Sequence, residues 1–282
     1  MNSAIEVRGL CKHYRDFSLR DVSFTVPGGS IMGFIGENGA GKTTTIKSIL
    51  GLLHTDGGSI SVLGRDPVTD RRAIGQDIGV VLDGSFFYEG MRAKDISAVM
   101  SRLHSRWDKE SFASYCERFA LPMEKPFKEF SKGMRAKLAL TTALAHHPKL
   151  LVLDEATSGL DPVSRDELLE IFLQLAQDEG ISILFSTHIT SDLEKCADHI
   201  VYLRQGEVAA DADADALRAR YRTAALTAAQ RDAAPEGLLL GCKREREGFS
   251  ALLRAEDAPR LGADTAPASL EDIMVHLEKE ED

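Results

Sequence analysis

Along residues 5–26 the apolar positions recur at short, strand-like spacing. Val22, Phe24 and Val26 alternate with polar neighbours, as a strand with one buried face requires. Pro27-Gly28-Gly29 predicts a tight turn into a strand over 30–35, and a glycine-rich loop and a helix over about 41–53 follow at once. Strand-like runs return at 78–82, 150–153, 181–185 and 200–203. Those near 150 and 181 are almost continuously apolar, the pattern of strands covered on both faces. Between 86 and 148 the period becomes helical: Phe112, Tyr115, Cys116 and Phe119 share one face and read as core. A further helix is bounded by Asp161 as its cap, Pro162 in its first turn and Gly180 past its end. Leu168, Leu169, Ile171, Phe172 and Leu175 form its apolar face.

After about residue 210 the chain becomes rich in alanine and charge, with Asp211-Ala-Asp-Ala-Asp215 marking a junction. Short apolar pieces at 237–241 and 249–253 and a final helix from Ser269 predict a small accessory region, 211–282, after a main domain, 1–210. No internal repeat is found. The pattern as a whole predicts an α/β fold.

Composition supports one packed α/β domain with an appendage: 282 residues, 43% hydrophobic and 28% charged, exclude global disorder. Against 34 Lys and Arg stand 44 Asp and Glu, a net charge of −10. That balance argues against a general nucleic-acid binder, which must neutralise many phosphates, but a nucleotide needs only a local positive site. The four cysteines, at 11, 116, 196 and 242, lack metal-ligand spacing and read as reduced thiols. Residues 1–10 lack the basic segment and apolar run of a signal peptide, and no stretch approaches 18 apolar residues. Work at a membrane is therefore expected to go through a partner.

Two segments carry chemistry. Gly36-Glu37-Asn38-Gly39-Ala40-Gly41-Lys42-Thr43 matches the phosphate-binding loop G-x-x-x-x-G-K-[ST] at every fixed position, between a predicted strand and a predicted helix. Its glycines let backbone N–H groups point inward at phosphate oxygens, and the helix, opening through Thr44, adds its positive end. Lys42 would neutralise the β- and γ-phosphates and the Thr43 hydroxyl would ligate Mg²⁺. The second segment is the acidic pair closing the run Leu150-Leu-Val-Leu-Asp154-Glu155. Asp154 would hold the Mg²⁺ and Glu155 would polarise an attacking water as general base.

In this ordered series the sequence resembles the ATP-binding cassette (ABC) proteins, from about residue 5 to 210 and more loosely through the tail. Phe130-Ser131-Lys132-Gly133-Met134 is similar to the family's signature loop, Ser158-Gly-Leu-Asp161 to its dimer-interface loop, and His188 to its switch histidine. Tyr14 stands where the family places the aromatic that stacks on adenine. The resemblance implies a P-loop NTPase (RecA-like) core, an N-terminal antiparallel β subdomain, a helical subdomain inserted at about 86–148, and the small C-terminal region. It implies ATP and Mg²⁺ as ligands, and two cassettes, identical or paralogous, closing over two ATP. Ser131, Gly133 and Asp161 would then meet the nucleotide of the opposite cassette. It further implies a separate transmembrane permease, a cytoplasmic position on the inner face of the membrane, and, from Ser269-Leu-Glu-Asp-Ile-Met, export.

Three departures stand out. Lys132 and Met134 replace the usual glycine and glutamine of the signature loop, Ala156 stands where proline is common, and Asp83 occupies the place of a glutamine that contacts Mg²⁺. A carboxylate is a good ligand for a hard cation, so Asp83 is a third metal candidate. Phe86, Phe87 and Tyr88 predict either a groove for a permease helix or core of the helical subdomain. Two other classes share the phosphate loop but fit the rest of the chain less well. A soluble ABC ATPase of ribosomes or DNA repair would have two cassettes or a coiled-coil insertion. A small kinase would lack the signature loop and Glu155.

Overall fold

The computed structural model describes residues 3–82, 84 and 87–278, and they form two units that divide between Asp211 and Ala212. The first runs β1 (Ser3–His13), β2 (Ser18–Pro27), β3 (Ile31–Ile35), α1 (Lys42–Ile49), β4 (Gly57–Val62), α2 (Arg71–Ile74) and β5 (Ile78–Val81). It continues with α3 (Ala93–Leu103), α4 (Lys109–Arg118), α5 (Lys132–Leu144), β6 (Leu150–Asp154), α6 (Pro162–Gln177), β7 (Ser182–Ser186), α7 (Thr190–Cys196), β8 (His199–Arg204) and β9 (Glu207–Asp213).

Two sheets carry this unit. β1, β2 and β4 pair antiparallel in the order β2-β1-β4, and a six-stranded sheet follows the order β5-β6-β7-β3-β8-β9. The four pairings from β5 through β8 are parallel. All five residues of β3, β6 and β7 are buried, which is why those runs read as unbroken apolar stretches rather than as alternation. The alternation of β2 points Val22, Phe24 and Val26 inward, and Phe24 stacks on Phe34 of β3 with ring centroids 5.3 Å apart. One apolar core thus joins the small sheet to the large one. Helices α3, α4 and α5 lie between β5 and β6 in the chain, with Phe112, Cys116 and Phe119 buried and Tyr115 partly exposed.

Helix α6 begins where the cap predicts. The Asp161 carboxylate accepts from the N–H groups of Val163 and Ser164 at 3.1 and 3.0 Å, and Pro162 occupies the first turn. Helix α1 is shorter than its apolar run suggests, ending at Ile49, because Gly51 turns the chain away.

The second unit contains α8 (Ala214–Ala219), β10 (Tyr221–Leu226), α9 (Ala228–Asp232), β11 (Gly241–Glu245), β12 (Gly248–Arg254), α10 (Ala258–Leu261), β13 (Thr265–Pro267) and α11 (Leu270–Glu278). Its sheet, β11-β12-β10-β13, is antiparallel throughout and buries Ala224, Leu226, Ala251 and Leu253. The acidic alternation at 211–215 has two structural roles. It is the end of β9, and Asp213 caps α8 by accepting from Asp215 and Ala216.

Candidate functional site

The turn from β3 into α1 builds a cleft of about 520 Å³, lined on the loop side by Glu37, Asn38, Gly39, Gly41, Lys42, Thr43 and Thr44. Two glycines are required by close approach. A β-carbon on Gly36 would lie 2.3 Å from the Leu203 carbonyl oxygen. One on Gly41, which holds φ at 108°, would lie 2.4 Å from Leu19 and 2.7 Å from the Phe17 ring. Ala40 is buried behind the loop. The Lys42 ammonium curls back to the carbonyls of Gly36 and Glu37, at 2.6 and 3.2 Å, and lies 4.0 Å from Glu155. Burial pushes it below the ordinary lysine range, against the opposing pull of Glu155, Asp154 and Glu37.

Across the cleft stand Asp154, Glu155, Ser158 and His188. The Thr43 hydroxyl donates to Asp154 Oδ2 at 3.1 Å, which brings together residues 111 positions apart. Asp154 Oδ1 is buried and has no hydrogen-bond partner among the described residues. A buried carboxylate oxygen left bare is costly, and beside a hydroxyl it makes a pair of hard oxygen donors that suits Mg²⁺. The donor set therefore fits the cation. Asp83 lies outside the described residues.

Glu155 follows the last residue of β6 at φ 53°, a left-handed conformation unusual for glutamate. Its N–H donates to the Ser186 carbonyl at 2.9 Å, so the turn is held by β7. The carboxylate reaches His188 Nδ1 at 2.7 Å, across 33 residues of sequence. Backbone strain of this kind persists where surrounding structure enforces it, and it tends to gather at working sites.

The aromatic wall of the cleft is Phe17, which neither period nor motif spacing singles out. Tyr14, the expected stacking face, is not among the lining residues. It is 46% exposed, with the Lys12 ammonium 5.7 Å from its ring centroid. A signal was available in sequence, since Phe17 is aromatic in the same short turn, but only packing against Gly41 tells the two rings apart. Ser131, Gly133 and Asp161 also lie outside the cleft. Ser131 Oγ caps α5 by accepting from Met134 at 3.2 Å, and the Asp161 carboxylate caps α6. The Lys132 ammonium rests against Gly159.

A second hollow, of about 430 Å³, adjoins Glu155 and is lined among others by Leu82, Phe87, Phe127, Phe130, Arg135 and Leu160. Phe87 meets Phe127 edge-on at 5.5 Å, Tyr88 is 84% exposed, and Phe86 lies outside the described residues.

Residues 19–158 match the family described as ABC transporter. The bacitracin transport ATP-binding protein BcrA of Bacillus licheniformis is 33% identical over 225 residues, covering 79% of this chain and 74% of that protein. The ABC transporter ATP-binding protein NatA of Bacillus subtilis is 36% identical over 197 residues, 68% and 80% of the two chains. Among solved structures, an ATP-binding subunit of an ABC transporter superposes with a TM-score of 0.69 at 30% identity, over 76% of this chain and 92% of that one. A nucleotide-free ATP-binding cassette shares the fold, with a TM-score of 0.66 at 21% identity, over 75% and 92%. Phosphate loop, acidic strand end and histidine thus converge on one cleft in a fold that these proteins share, and the chain belongs to the ATP-binding subunits of the ABC transporter family.

Proposed function

We propose that this chain is a Mg²⁺-dependent ATPase that drives export through a separate membrane permease, two cassettes closing head to tail over two ATP. The observation that carries the reading is one cleft in which Thr43 and Asp154 meet at 3.1 Å and Glu155 and His188 at 2.7 Å, opposite Lys42 and the loop amides. Thr43 and Asp154 would hold Mg²⁺, whose charge offsets that of the β- and γ-phosphates. Glu155 takes a proton from the water that attacks the γ-phosphorus, and His188 keeps the carboxylate turned toward that water. Ser131 and the first amides of α5 meet the γ-phosphate held by the opposite cassette. Residues 1–210 are then the cassette and 211–282 an accessory region.

No helix among the described residues is long and apolar enough to cross a membrane, which supports a partner chain as the permease. Likeness to proteins that serve bacitracin transport supports export of a drug- or peptide-like substrate from the inner face of the membrane. The apolar hollow around Phe87 suits a short permease helix and adjoins Glu155, which would couple docking to hydrolysis.

Glu155→Gln should still bind ATP while turnover falls at least a hundredfold, and Lys42→Ala should lose binding itself. Calorimetry with a phosphate-release assay separates the two, and wild-type turnover in the glutamine variant would remove Glu155 from its role. For the permease, a cysteine at position 87 should cross-link to cytoplasmic loops of a six-span chain encoded nearby. A destabilised protein that forms no cross-link assigns Phe87 to the subdomain core instead.

A further inference from the structure

Two buried polar side chains beside this site take no part in the chemistry proposed above. Thr157 stands two residues past Glu155 and is 0% exposed, and Asp192 stands four residues past His188 and is 2% exposed. The Thr157 hydroxyl donates to Asp192 Oδ2 at 2.7 Å. The bond spans 35 residues, and the Glu155–His188 contact beside it spans 33. It therefore joins the turn that carries the acid to the turn that carries the histidine.

Each turn is closed on itself by short backbone bonds. Ser158 donates to the Glu155 carbonyl at 3.0 Å and Leu160 to that of Thr157 at 3.2 Å; on the other side Asp192 donates to the Ile189 carbonyl at 3.2 Å. Between the two segments the Glu155 N–H donates to the Ser186 carbonyl at 2.9 Å, a tie that ends two residues short of His188. Thr187 donates to Phe34 at 3.3 Å, and Ile189, at the mouth of α7, supplies no side-chain cap. Asp192 forms no salt bridge among the described residues. Arg165 on α6, Lys195 on α7 and His188 act on its charge from a distance, and burial pushes its carboxyl up. Packing alone would be served as well by an apolar pair, so a carboxylate kept here at a desolvation cost points to a geometric task.

We propose that Thr157 and Asp192 are a positioning pair for hydrolysis: their hydrogen bond sets the register between the Glu155 turn and the His188 turn, and so the contact between those two side chains. The inference rests on the reading of Glu155 as the base. Neither residue lines the cleft, so their effect falls on the chemical step and spares nucleotide binding.

The test measures kcat and KM for ATP in the full chain carrying Thr157→Val, Thr157→Ser, Asp192→Ala or Asp192→Asn, with Glu155→Gln and His188→Ala as references and thermal midpoints taken in parallel. Displacement of a catalytic group by about an ångström costs up to roughly a hundredfold, so Thr157→Val and Asp192→Ala should lose roughly 10- to 100-fold in kcat with KM within about twofold. Thr157→Ser restores the donor and Asp192→Asn retains an acceptor, so both should stay within about threefold of wild type. In a His188→Ala background Thr157→Val should add little, because the contact it positions is already gone. If Thr157→Val does not fold, the two Asp192 variants make the same comparison. Equal kcat in the alanine and asparagine variants, or an undiminished valine effect without His188, overturns the proposal. Wild-type turnover in Glu155→Gln overturns the reading beneath it instead.

Discussion

Glu155 shows how much of this site is a matter of single dihedral angles. At φ 53°, outside the strand region, the chain leaves β6 and the Glu155 carboxylate meets His188 at 2.7 Å. The bond from its N–H to Ser186 holds the angle, so the acid is positioned by a neighbouring strand it does not belong to. The two aromatics near the cleft raise a similar question. Phe17 packs against Gly41 and lines the cleft, and Tyr14 stands in solvent beside Lys12. Stacking of a base on an aromatic face is worth about 1–3 kcal/mol, so Phe17→Ala should weaken ATP binding by that amount and Tyr14→Ala by less. Calorimetric titration of both variants ranks them, and the reverse order would return the stacking role to Tyr14.

Among the elements, the junction between α3, α5 and β5 holds the helical insertion to the sheet. His104 follows α3 and His146 follows α5, and their rings stack with centroids 4.1 Å apart. His146 Nε2 donates to the Ile78 carbonyl at 2.9 Å and its Nδ1 has no partner among the described residues, the pattern of a neutral imidazole. Burial, together with the charges of His104, Arg106 and His147, pushes His146 down to about 4, and burial lowers His104 as well. The unfolded chain protonates near the ordinary histidine value of about 6.5 and so takes up protons first on acidification. Stability contributed by the neutral ring is therefore present above about pH 6.5 and is lost as pH falls through about 4. Urea titrations at pH 7 and pH 5 should differ by roughly 1–2 kcal/mol more in wild type than in His146→Gln. An equal difference in the two proteins would show that this junction does not feel the proton.

At the scale of the molecule, one cleft gathers the phosphate loop and the acids, while Ser131 and Asp161 lie outside it. Ser131 and Asp161 spend their side chains capping α5 and α6, and neither lines the cleft of its own chain. On the head-to-tail reading, Glu155→Gln with ATP and Mg²⁺ should sediment at twice the monomer mass. Adding Ser131→Glu should return it to the monomer, because a carboxylate there would repel the γ-phosphate of the opposite subunit, while each chain still binds ATP. Persistence of the dimer in the double variant would place the contact elsewhere. The second unit has its own antiparallel sheet and core.

The sequence by itself determined what depends on local chemistry and period. Short, nearly unbroken apolar runs carry the pattern of strands covered on both faces, as β6 and β7 are. The loop from Gly36 to Thr43 could be read because each fixed residue has its own backbone or phosphate reason, and Asp161-Pro162 announced α6 because a cap acts over three residues. Tertiary structure alone decided what depends on distant packing. It placed Phe17 rather than Tyr14 on the cleft wall, set Asp154 Oδ1 without a partner beside Thr43, and joined Thr157 to Asp192. Those outcomes rest on contacts across about 35 to 111 residues of sequence or on side-chain direction within one turn. Period and spacing specify a side chain's face of its element, and the sheet that brings two elements together specifies what that face meets.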